Sequence, residues 1–76
     1  MITSDQLLFI LNKMGQPQYP FHSKQELILI LLKTLIGGDV TITNLKHFLR
    51  SVFWNPLGTK NVVISRVIMY AVMQTF

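Results

Sequence analysis

Lys46 and Arg50 stand four residues apart, with His47 beside the first and Trp54 four residues beyond the second. On a helix this spacing projects Lys46 and Arg50 together and brings the Trp54 indole within reach of the Arg50 guanidinium. Two chemistries suit such a face. Cations neutralise phosphates while an aromatic or guanidinium plane stacks on a base, which is the pattern of nucleic-acid binding. Trp and Arg are also among the residues most enriched at the energetic centres of protein interfaces. The plain structural alternative is a solvated helix face whose Trp folds back over Pro56.

The charge distribution points to the same region. Residues 1–39 hold Lys13, Lys24 and Lys33 against Asp5, Glu26 and Asp39, which cancel. Residues 40–76 hold Lys46, Arg50, Lys60 and Arg66 and no acid, so the whole formal charge of +4 lies there. Lys60 and Arg66 extend the basic patch if the last two helices lie side by side. Arg66 sits within an apolar helix, and an unpaired buried cation costs several kcal/mol. It is therefore expected on the exposed seam of that helix.

Catalytic chemistry finds few carriers. General acid–base work and hydrolytic triads need grouped titratable residues. The two His, His22 and His47, lie in different segments, and Glu26 and Asp5 have capping roles. No spacing of His and carboxylates provides the three or four ligands of a metal site. Gly37-Gly38-Asp39 lacks the spacing of a phosphate-binding loop and reads as a helix stop. No catalytic residue, cofactor or metal is assigned. Without Cys, disulfides and thiolate sites are excluded.

Four segments must position the basic face. The first, Ser4 to Met14, has Thr3 and Gln6 at capping-box spacing, a stripe of Leu7, Ile10, Leu11 and Met14, and Gly15 as its stop. Residues 16–22 form a loop in which Tyr19-Pro20-Phe21 is expected to clasp the first two helices. Ser23 and Glu26 make a second capping box, opening a helix to about Ile36 that is apolar on every side. Val40-Thr41-Ile42 reads as a short extended stretch. Thr41 or Thr43 then caps a third helix, Asn44 to about Trp54, with Leu45, Phe48, Leu49, Val52 and Phe53 on its buried face. Asn55-Pro56-Leu57-Gly58 breaks it, and Thr59 or Asn61 caps a last segment, Lys60 to about Thr75. Its β-branched start leaves a strand over residues 62–68 open. Met14, Met69 and Met73 read as core filler.

Residues 24–68 resemble helix-turn-helix and winged-helix domains in element order, with Val63-Ile64-Ser65-Arg66-Val67-Ile68 in the place of a recognition helix. The resemblance implies a small nucleic-acid-binding regulator. Against it, the connection from Arg50 to Lys60 exceeds the tight turn of that motif, and a groove-reading helix needs a more polar face.

Half of the residues are apolar, 13% are charged and mean hydropathy is +0.42. A domain this small buries only about 60% of the surface of its unfolded chain, so the excess apolar surface points to a second copy or a partner. Leu27 to Leu32, closed by Lys33, falls far short of the ~20 residues of a membrane span. The opening residues lack the basic start of a signal peptide, and a cytoplasmic protein is expected.

The sequence thus predicts a single all-α domain over residues 1–76, a compact four-helix fold with two apolar inner helices and two amphipathic outer ones. The expected function is a non-enzymatic protein-interaction module, a homodimer that offers Lys46, His47, Arg50, Trp54, Lys60 and Arg66 to a protein with an acidic surface. Nucleic acid is the alternative partner. Adsorption to a membrane ranks last, because the core needs the apolar face of the third helix.

Overall fold

Each helix begins on a side-chain hydroxyl. A computed structural model describes residues 2–18 and 22–76. Among the described residues the chain forms α1 (Ser4–Lys13), α2 (Lys24–Ile36), α3 (Ile42–Ser51) and α4 (Lys60–Thr75). Thr3, Ser23, Thr41 and Thr59 are the N-caps, accepting from the backbone N–H groups of Gln6, Glu26, Asn44 and Val62. These bonds satisfy amides that have no partner inside a helix. In α1 and α2 the third residue, Gln6 or Glu26, reciprocates on the cap amide to complete a capping box.

The fold is all-α. Leu7, Ile10 and Leu11 of α1 pack with Leu27 and Leu31 of α2 and Ala71 of α4. Leu32 of α2 packs separately with Leu45 and Leu49 of α3 and Val63 and Val67 of α4. Ile28 and Leu35 border both clusters and join them. α2 and α4 each touch the other three helices, whereas α1 and α3 do not meet. Even so, α2 and α4 are not enclosed, since Leu29, Val62, Met69 and Met73 are exposed. Among the described residues no polar side chain is buried, so the interior rests on apolar packing alone.

Several expectations are revised. Val40-Thr41-Ile42 is not an extended stretch, because Thr41, one of the two expected caps, starts α3 and Ile42 joins the helix, whereas the helical reading of residues 62–68 stands. α3 ends at Ser51, not near Trp54. Met69 and Met73 are exposed, so of the three methionines only Met14 packs against the core. The proposed Tyr19-Pro20-Phe21 clasp lies outside the described residues. No helix among the described residues is long and apolar enough to cross a membrane.

Candidate functional site: the basic α3 face and the turn that follows it

The end of α3 is a Schellman motif. The Trp54 N–H donates to the Leu49 carbonyl at 2.8 Å and the Phe53 N–H to the Arg50 carbonyl at 3.1 Å. These are the paired bonds that close a helix when the next residue turns left-handed. Glycine usually takes that residue. Here it is Phe53, with φ of 62° and 96% of its surface exposed. Leu49 and Trp54 supply the apolar contact that accompanies the motif, both packing in the α3–α4 cluster.

The aromatic rings join α3 to α4. Tyr70 receives the Phe48 ring edge-on at 5.4 Å and 81°, and the Trp54 ring at 5.4 Å and 83°. Trp54 therefore takes Tyr70 as its ring partner, and it is half-buried. Its role is to lock the turn onto α4, which leaves Phe53 pointing away from the core.

Arg66 meets neither bulk solvent alone nor an acid. Its Nη1 donates to the Asn55 carbonyl at 3.2 Å and to the Leu57 carbonyl. The Asn55 side chain accepts from the Leu57 N–H at 2.9 Å, tightening the same turn. Gly58, at φ of 125°, leaves room for this arrangement: a Cβ there would lie 2.9 Å from Val62 Cγ1. The turn is thus fixed by the Arg66 and Asn55 side chains bonding to its backbone, yet the Leu57 side chain is exposed.

The remaining candidate residues lie on α3 and at the start of α4. Arg50, Lys60 and His47 are exposed and Lys46 is half-buried. His47 also lines a shallow groove with Gly37, Gly38 and Ser51, where α3 faces the end of α2. Of the residues singled out from sequence, Arg50 and His47 share the exposed side of α3, while the half-buried Trp54 and Arg66 are engaged by α4 and the turn. Phe53 and Leu57 were missed. Their signal was present as the Asn55-Pro56-Leu57-Gly58 turn, which forces the chain out of the helix before Phe53 can return to the buried face.

Chemistry elsewhere is sparse. Glu26 Oε2 lies 3.0 Å from His22 Nδ1, and this pairing, with the Ser23 cap bonds, holds the carboxyl below its ordinary range. No group of three or more His, Asp or Glu among the described residues could hold a metal ion. The chain matches no protein-family model, no curated protein and no solved structure. The arrangement can recognise a surface: exposed apolar side chains on a fixed turn, flanked along the chain by Arg50 and Lys60, with no acid in residues 40–76.

Proposed function

We propose that this chain is a non-enzymatic protein-interaction module that self-associates and presents α3, with the turn after it, to a partner with an acidic surface. The observation that carries the reading is Phe53, an exposed aromatic held in a backbone conformation that disfavours every residue but glycine. Strain of this kind persists where the surrounding structure over-determines it, and it concentrates at functional positions. Phe53 and Leu57 are the apolar anchors in this reading. Arg50, Lys46, His47 and Lys60 steer and select an acidic partner. Trp54 and Arg66 hold the turn in register for docking.

The test is a photo-crosslinking amino acid at position 53, used in extract of the source cells. One adduct with an acidic protein is expected, absent with the crosslinker at exposed Gln25 and lost on Arg50→Ala. Labelling no different from the Gln25 control overturns the reading. Random-sequence duplex DNA is the competing occupant of the same cations. Tight binding with a log–log salt slope of about −3, the value for three to four phosphate contacts, would transfer the face to phosphates.

A further inference from the structure

A second apolar surface runs along α4, opposite its buried side. Val63, Val67 and Ala71 point inward. The opposite side carries Val62, Ser65, Met69, Met73 and Phe76, of which Met69, Met73 and Phe76 are 53%, 62% and 64% exposed. No charged residue occurs from Val67 to Phe76. Surface helices ordinarily turn their polar residues outward here. Phe9 of α1 adds to the surface, stacking on Phe76 with ring centroids 5.3 Å apart and so fixing the end of α4.

We infer that this face is the seam on which two copies of the chain pair, their α4 helices antiparallel about a two-fold axis through Met69. The inference rests on the self-association in the proposed function and assigns it to a face other than α3. Three observations select a second copy. Val62, Met69 and Phe76 recur every seven residues, the spacing by which one helix seats against another. Reversing the stripe about Met69 sets Val62 opposite Phe76 and Ser65 opposite Met73, a small side chain against a large one each time. An interface with two-fold symmetry requires such self-complementarity.

Charge is the third observation. Two chains of net charge +4 repel unless their cations lie off the seam. Lys60 falls beyond the overlap, Arg66 is turned to the Asn55 and Leu57 carbonyls, and Lys46 and Arg50 belong to α3, so the four unbalanced cations lie off the seam. Lys24 and Lys13 stand at its rim, Lys24 in the groove beside Met69 and Lys13 over the Phe9 ring at 5.5 Å. The exposed parts of Phe9, Val62, Met69, Met73 and Phe76 offer on the order of 500 Å² per copy, against about 800 Å² per partner in a standard interface. The neighbouring groove of Ile2, Ile28, Ile68 and Val72 lies beside Met69 and supplies a mixed rim, apolar at its base and edged by Gln6 and Lys24.

Sedimentation equilibrium of the full chain at micromolar concentration tests the seam. The expected mass is twice 8.8 kDa. Met69→Lys and Met69→Glu should each raise the dimer Kd at least tenfold with helicity by circular dichroism unchanged. Mixing the two variants should restore the dimer, because opposite charges then meet on the axis. Should a charged variant fail to fold, Met69→Cys serves instead. In this Cys-free chain it should oxidise to a disulfide-linked dimer, whereas Gln25→Cys should not. A monomeric wild type overturns both the seam and the self-association. A dimer that survives Met69→Lys, or a Met69→Cys chain that does not cross-link, overturns the seam alone.

Discussion

The Trp54 backbone N–H reaches back to the Leu49 carbonyl at 2.8 Å, and that single bond requires Phe53, lying between them, to turn left-handed. The left-handed conformation costs an L-residue about 1–2 kcal/mol, part of which glycine returns through its greater freedom when unfolded. Phe53→Gly is therefore expected to stabilise the domain by about 0.5–1 kcal/mol, raising Tm by a few degrees in a thermal melt. The same variant should lose partner binding. A substitution that stabilises the fold while removing binding is the signature of a residue kept for docking.

Gly58 and Arg66 form a second testable pair. Gly58→Ala forces a Cβ against Val62 at a φ that side chains rarely adopt, so it should destabilise by at least about 1 kcal/mol. Arg66→Ala removes both carbonyl contacts and should cost on the order of 1 kcal/mol at this partly exposed site. Because each change releases the same turn, the double variant should cost less than the sum, which denaturant unfolding of all three chains will measure.

Leu11 and Leu49 lie in different clusters, joined through α2 and α4. Truncating either to Ala should cost about 2–5 kcal/mol. A chain of this size has only about 4–11 kcal/mol to lose, so either variant should be close to unfolding at 37 °C. The melt monitored by Trp54 fluorescence, a probe of the α3–α4 side, should fall for Leu11→Ala as well as for Leu49→Ala. Loss of α1 helicity with an unchanged Trp54 transition would mean that the clusters unfold separately.

Glu26 contributes to the acid side of the stability curve. Its carboxyl is held below the ordinary value of 4.5 by His22, then by the Ser23 cap. A group whose folded pKa is depressed contributes stability that is fully present above its unfolded value and is lost as pH falls through the folded one. Tm should therefore drop on acidification below about pH 4.5, and Glu26→Gln should flatten that drop while lowering Tm at neutral pH. An acid limb identical in both chains would remove this role.

The helix starts were legible because capping chemistry is local: Thr3 with Gln6 and Ser23 with Glu26 form in the structure the pairs that their spacing announces. The buried stripes of Leu7, Ile10 and Leu11 were legible for the same reason, since periodicity reports a helix face directly. Phe53 was not. Its place on the Leu45–Leu49 face assumes a helix that continues, and the turn ends that helix two residues earlier. Trp54 and Arg66 were read as exposed actors because spacing along one helix does not show what a neighbouring helix or turn supplies, here Tyr70 and two carbonyls. The outward methionines of α4 were hidden differently: on a helix apolar all round, the sequence pattern does not mark which side meets water.

An interior without buried polar side chains among the described residues carries no internal address. Apolar side chains of similar volume exchange there at modest cost, so the identity of each core residue can drift while the packing survives. What cannot drift freely is the punctuation: a hydroxyl at the head of every helix, a glycine at position 58, and a guanidinium eight residues after it that closes the turn. Kinship with this fold is therefore written in the spacing of those few polar and glycine positions, and a distant cousin would share its rhythm long after its letters had ceased to agree.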